Sequence, residues 1–206
     1  MIRKTSVKLV ETNNQFKKKV NKAIAEDANK NVPKKIPKIS SDIKPLVSAA
    51  LLSSPEILSL QSGILRSEFG LEQDPTQDII GAILSSLKVQ YFPISSKNLT
   101  GGLRIVMQPS SFENLLSLDV AQQSIKDGSI PWLQWLLTLG DSIIIVDFGV
   151  QFGAYPESRT GSARMSRKFA PYKVNNSFSG TRDDNFITRA VAKIEPQITR
   201  ILKGAF

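Results

Sequence analysis

The feature that most constrains this chain is a change of hydrophobic period along its length. Over residues 11–31, Phe16, Val20, Ala23, Ile24 and Ala28 recur three and four positions apart, the period of one helix face. From residue 88 the period shortens. Lys88-Val89-Gln90-Tyr91-Phe92 alternates like a half-buried strand and stops at Pro93. Leu103 to Gln108 reads as its antiparallel partner across a turn at Asn98-Leu99-Thr100-Gly101-Gly102. Ser142 to Phe148 is the strongest strand signal, because Ile143, Ile144, Ile145 and Val146 are β-branched. Their unbroken run predicts a strand covered on both faces. Helical spacing returns between Asp184 and Lys203, where Phe186, Ile187, Ala190, Val191, Ile194, Ile198, Ile201 and Leu202 form one apolar face. Helices at both ends with strands between them predict an α+β fold. The expected form is a small, mainly antiparallel sheet packed with helices, a basic N-terminal helical arm and a long C-terminal helix.

Local signals set the expected boundaries. Thr12 or Asn13 is placed to cap the first helix. Pro33 and Pro37 lie four apart in Val32-Pro33-Lys34-Lys35-Ile36-Pro37-Lys38, and each removes a donor and restricts its neighbour. An extended linker is predicted there, dividing an arm at 1–38 from a core domain at 39–206. Further helices are expected from Ser41 to Leu52, from Pro55 to Gln61, from Pro75 to Leu87, from Ser111 to Ile125 and from Pro131 to Leu139. Gly70 closes a turn after Ser62–Ser67. The Gly149–Gly153 segment either continues the strong strand through a glycine bend or pairs back on it. Residues 154–182, rich in Gly, Ser, Arg, Pro and Asn, predict a long surface loop. Pro196 predicts a kink in the last helix.

Composition removes whole classes of chemistry. The 206 residues include no cysteine, which excludes disulfides, thiolate nucleophiles and cysteine-ligated zinc. They include no histidine, which removes the commonest general base and metal ligand. Carboxylates, Lys or Tyr stay open to a catalyst, but the common routes are closed, and the expectation is of a protein that is not an enzyme. The most apolar stretch, Ile130 to Val150, is interrupted by Pro131, Gln134, Gly140, Asp141 and Asp147, so no membrane span is expected. No apolar run follows Met1-Ile2-Arg3-Lys4, and a cytoplasmic site of synthesis is expected.

The charge is unevenly placed. The net charge is +9, and residues 1–45 hold twelve Lys or Arg against four Asp or Glu. Lys17, Lys18, Lys19 and Lys22 flank the apolar residues of the first helix. A second basic patch holds Arg159, Arg164, Arg167, Lys168, Lys173 and Arg182, with no acidic residue between them. Such segments serve as solvated faces, as docking sites for acidic protein surfaces, or as non-specific contacts to nucleic-acid phosphates. No recognised nucleic-acid motif accompanies them. Ser158–Met165, which mixes small residues with arginines, is either a flexible loop or one that orders against a neighbouring subunit or DNA.

The remaining candidates read as structural. Glu68, Glu72, Asp74 and Asp78 cluster in sequence, but without the pattern of a metal-dependent nuclease, and read as turn and helix-capping acids. Gly101, Gly102, Gly149 and Gly153 fit neither the dinucleotide fingerprint nor the P-loop. Trp132 and Trp135 lie three apart on one helix face, which places them in a core or, if exposed, makes them interface anchors.

Several stretches resemble the head–tail joining and tail-completion (neck) proteins of tailed bacteriophages. They are Ser62-Gly63-Ile64-Leu65-Arg66-Ser67, then Val150-Gln151-Phe152-Gly153 before the 154–182 loop, then the helix after Asp184. The run from Trp132 through Met165 also resembles neck proteins of contractile-tailed phages. The resemblance covers roughly residues 60–206. It departs in the long spacing between Arg66 and the hairpin and in the stretch Phe169-Ala170-Pro171-Tyr172, so connector, stopper, terminator and completion protein all stay open. It implies a virion protein made in the host cytoplasm, a ring of its own copies (often a hexamer) around the DNA channel, and neighbours among neck, portal-adaptor or tail proteins. It implies no cofactor and no catalytic residue.

Overall fold

The computed structural model describes residues 12–109, 111–125, 128–167 and 171–206. Its fold is α+β, with small antiparallel strand pairs packed among helices and a long helix at either end. The helices are α1 (Asn13–Leu52), α2 (Pro55–Ser62), α3 (Ile64–Phe69), α4 (Thr76–Ser86), α5 (Glu113–Leu116), α6 (Trp132–Leu137) and α7 (Phe186–Lys203). The strands are β1 (Lys88–Phe92), β2 (Gly102–Val106), β3 (Gln123–Ile125), β4 (Gly128–Ile130), β5 (Ile143–Ile145), β6 (Gly149–Phe152), β7 (Ala163–Ser166) and β8 (Tyr172–Lys173).

Helix α1 corrects the expected linker. It runs without a break through Pro33, Pro37 and Pro45. Its buried residues Ala25, Val32, Ile39, Ile43, Val47, Ala50 and Leu51 follow one side of the helix, and Pro37 and Pro45 fall outside it. Burying each large aliphatic side chain contributes about 1.5–3 kcal/mol, enough to offset about 3 kcal/mol per interior proline. The position proposed as the end of an arm, residue 38, lies in the middle of this helix. Thr12 caps it in a capping box with Gln15.

The core joins the second half of α1 to α2, α4, α6 and α7, with Ile43, Leu51, Ile57, Leu60, Ile79, Ile83, Trp132 and Phe186 among its most enclosed side chains. Asn185, rather than Asp183 or Asp184, caps α7, accepting from the backbone N–H groups of Ile187 and Thr188. Arg200 and Lys203 stand in its last turn, where they complement the helix dipole. The buried Glu56 carboxylate of α2 pairs with Arg189 of α7 at 3.2 Å.

Among the described residues the strands form four separate antiparallel pairs instead of one sheet: β1–β2, β3–β4, β5–β8 and β6–β7. The first pair is the expected hairpin, with Lys88 opposite Val106 and Phe92 opposite Gly102. β6 pairs back on β7 rather than continuing β5. β5 is shorter than expected and is not covered on both faces: Ile143 is 54% exposed and the adjoining Val146 67%. Among the described residues its partner is the two-residue β8. The expected helix from Ser111 to Ile125 is cut to α5 and a short 3₁₀ turn at Asp119–Ala121, because Gln123–Ile125 are drawn into pairing with β4. The stretch read as a loop, 154–182, contains β7 and β8. Among the described residues no single helix is long and apolar enough to cross a membrane.

Candidate interaction surfaces

The first turns of α1 carry the most exposed organised apolar surface. Every residue from Thr12 to Val20 is exposed. Phe16, Val20 and Ile24 follow one another at four-residue spacing and are 58%, 38% and 47% exposed. They do not extend the buried arc. Ala25 does that, and the stripe stands roughly a third of a turn away from it. Lys17, Lys18, Lys19 and Lys22, the sequence-predicted contact residues, are all exposed; Lys17 and Lys19 border the stripe, and Lys18 and Lys22 lie on the opposite side of the helix. Lys22 reaches Glu26 of its own helix at 3.8 Å, both side chains largely in solvent.

Asn29 ties α1 to the β1–β2 hairpin. Its carboxamide oxygen accepts from the Tyr91 hydroxyl at 2.6 Å and the Ile94 N–H at 2.7 Å, and its amide nitrogen donates to the Ile94 carbonyl at 3.0 Å. Further along, the Lys35 ammonium donates to the Ala205 carbonyl at 2.8 Å.

The second basic segment is an ordered hairpin. Beyond β6 and β7 the tip is closed by Gly153 N–H to Ser162 C=O at 3.0 Å and Tyr155 N–H to Gly161 C=O at 2.8 Å. Arg164 stacks over Tyr155 at 4.3 Å and donates to Gln151 at 3.3 Å, and Arg167 stacks over Phe148 at 5.3 Å. Arg159 is exposed, with its aliphatic stem facing Gly70. These arginines lie on one hairpin but are held by their own aromatic neighbours. Lys168 lies outside the described residues. Lys173 sits 3.9 Å from Asp141.

The Ser62–Ser67 motif is the support of that hairpin. A Cβ on Gly63 would lie 2.7 Å from the Ser59 Cα, so only glycine lets α3 start against α2. The Leu65 N–H donates to the Ser59 hydroxyl at 3.0 Å, and its side chain is fully buried. Arg66 donates to the carbonyls of Gln61, Leu71 and Glu72 at 2.6, 3.1 and 2.7 Å. The Ser67 hydroxyl meets the Ser162 hydroxyl at 2.7 Å, joining α3 to the hairpin tip.

The two tryptophans separate. Trp132 is wholly enclosed, stacked at 5.3 Å on Phe69, with its indole N–H donating to the Val120 carbonyl at 2.8 Å. It is a core residue and offers no surface to a partner, which corrects its reading as an interface anchor. Trp135 is half-buried, and its indole nitrogen has no hydrogen-bond partner among the described residues.

Of the clustered acids, Glu68 is the one with a buried carboxylate oxygen, Oε2, left unpaired among the described residues. It lines a cavity of about 320 Å³ with Ile125, Ile130, Val150, Met165 and Tyr172. Burial pushes its carboxyl up to about 7. Burial, and then the charge of Glu68, push the Tyr172 hydroxyl above its ordinary value. Glu72, Asp74 and Asp78 are exposed. Among the described residues no three His, Cys, Asp or Glu side chains are grouped to hold a metal ion.

Sequence reading missed a further surface. A groove of about 740 Å³ runs between α7 and the chain that follows β2, lined by Met107, Phe112, Ile187, Val191 and Leu202. Gln108 lies in it, with neither amide atom hydrogen-bonded among the described residues. The apolar face of α7 was legible, but whether it would be fully covered was not.

No protein-family model matches the chain, and comparison with curated proteins and with solved structures found no match.

Proposed function

We propose that this chain is a non-enzymatic structural subunit that assembles into a ring of its own copies at the head–tail junction of a tailed-phage virion. The observation that carries the assembly reading is the stripe of Phe16, Val20 and Ile24, exposed on a capped helix and outside that helix's buried arc. A large apolar side chain left in water forgoes about 1.5–3 kcal/mol of burial, and three at helical spacing make an organised docking face. The strand pairs support the same reading. Among the described residues each is only two strands wide, so sheet edges stay unpaired, and Ile143, Val146 and Phe152 are exposed close to them. The location in a virion neck rests on the resemblance of residues 62–67 and 150–153 and on the order of elements after them.

Native mass spectrometry with negative-stain imaging tests this reading. Rings with a central hole are expected. A monomer that persists over the accessible concentration range overturns it.

A second reading is favoured by one observation: Arg159, Arg164 and Arg167 are all exposed on one hairpin, and basic residues also crowd the start of α1. It is non-specific contact with the nucleic-acid backbone. It predicts duplex binding that weakens steeply with salt and weakens again when Lys17, Lys18 and Lys22 are changed to Gln. A titration with no salt dependence rules it out.

A further inference from the structure

Among the described residues two apolar surfaces stay uncovered, one a stripe on a helix and the other a groove. One is convex, the Phe16–Val20–Ile24 stripe. The other is concave, the groove of about 740 Å³ between α7 and the chain after β2. Anchors four residues apart laid into an apolar groove is a recurrent way in which one helix is held by another protein.

Charge and polarity narrow the occupant. Lys17 borders the stripe and Lys18 and Lys22 stand on the opposite side of the same helix, while Asp183 and Glu195 stand in the groove lining against a single base, Arg182. A basic helix is the occupant that this lining favours. The apolar residues Met107, Phe112, Ile187, Val191 and Leu202 of the lining suit the apolar anchors of such a helix.

We infer that the start of α1 from one copy docks in the α7 groove of the next, with Phe16, Val20 and Ile24 as anchors. The inference rests on the assembly reading and specifies its contact. The donor and acceptor surfaces are different parts of the chain, so the contact is head-to-tail. Such a contact closes as a reciprocally exchanged pair or as a larger ring where the rotation between copies allows it, and otherwise runs on as a filament.

The absence of native cysteine makes disulfide trapping a clean test. Val20→Cys and Ala192→Cys, both at exposed positions of the stripe and the groove, are prepared separately, mixed under reducing conditions and then oxidised. The mixture is expected to give a covalent dimer that neither protein gives alone. A chain carrying both substitutions is expected to give a covalent ladder ending at the ring size. Thermal unfolding of each reduced variant confirms that it is folded. In parallel, changing Phe16, Val20 and Ile24 to Ala is expected to raise the concentration at which the assembly dissociates at least about tenfold, with the fold retained. A wild-type chain that stays monomeric overturns both the assembly reading and this contact. Wild-type assemblies with no Val20–Ala192 link, or with Val20→Cys linking only to itself, overturn this contact alone.

Discussion

Asn29 and Ile94 pair as two strands would: the Asn29 carboxamide accepts from the Ile94 N–H at 2.7 Å and donates to the Ile94 carbonyl at 3.0 Å. The Tyr91 hydroxyl adds a third bond at 2.6 Å. One side chain of α1 thereby ties the helix to the end of the β1–β2 hairpin. Asn29→Ala leaves a part-buried N–H, carbonyl and hydroxyl to find other partners. The expected loss is about 1–3 kcal/mol of unfolding free energy, read from urea denaturation. Because the tie fixes the helix below the stripe, the variant should also assemble less well. Unchanged stability would show that water replaces the three bonds without cost.

Arg66 makes the same kind of tie within the Ser62–Ser67 motif. Its guanidinium fork reaches three backbone carbonyls on either side of the Gly70 turn. A lysine cannot present that fork. Arg66→Lys is expected to lose about 1–3 kcal/mol, and Arg66→Ala at least as much. Since α3 supports the β6–β7 hairpin through Ser67 and Ser162, proteolysis within 154–162 should accelerate in both variants. A hairpin that stays equally resistant would detach Arg66 from its support.

The elements legible in the sequence are those whose local signals agree with their burial. The β1–β2 hairpin alternates and is bounded by Pro93 and a glycine pair, and its register follows. Helix α2 has its Ser54 cap and a proline in its first turn. Where local and tertiary terms conflict, the sequence reading fails. Pro33 and Pro37 signal a break, but Val32, Ile39 and Ile43 bury one arc and carry α1 through. The four β-branched residues of 143–146 signal a covered strand, yet among the described residues the partner of β5 is two residues long. The candidate surfaces divide in the same way. The lysines of α1 were visible because charge can be counted. The exposure of Phe16, Val20 and Ile24 was not, since periodicity shows an apolar face but not whether something covers it. Gln108 carried no local signal at all.

Two glycines give opposite predictions. Gly180 donates its N–H to the Trp135 carbonyl and accepts from the Gly140 N–H at 2.9 Å. A Cβ there would lie 2.0 Å from the Leu136 carbonyl oxygen, a backbone atom that cannot swing aside. Gly180→Ala is expected to destabilise by several kcal/mol, on the order of the larger core substitutions. Gly81 lies inside α4 with open space around its Cβ position. Gly81→Ala is expected to stabilise by about 0.5–1 kcal/mol through helix propensity and a stiffer unfolded chain. Melting temperatures of the two variants should therefore move in opposite directions. A fall in both would mean that the α4 surface is covered in the assembly.

Glu68 sets a pH dependence whose sign is determined. Burial holds its carboxyl at about 7 in the folded chain, against an ordinary value of 4.5. At the lowest pH the group is protonated in both states. As pH rises past 4.5 the unfolded chain releases the proton while the folded chain keeps it, so unfolding becomes progressively easier until the folded carboxyl also ionises near 7. The stability present at low pH is thus lost across this window, in full on the order of 3 kcal/mol. Tyr172 does not compete, because its hydroxyl is pushed upward and titrates above the window. Glu68→Gln keeps the shape and removes the titration, so its stability should fall less than that of the parent between about pH 5 and about pH 8. Urea midpoints of both proteins across that range make the comparison, with the remaining carboxylates common to both. Parallel curves would mean that water reaches the Glu68 carboxylate in the cavity beside Tyr172, and that its burial does not govern its charge.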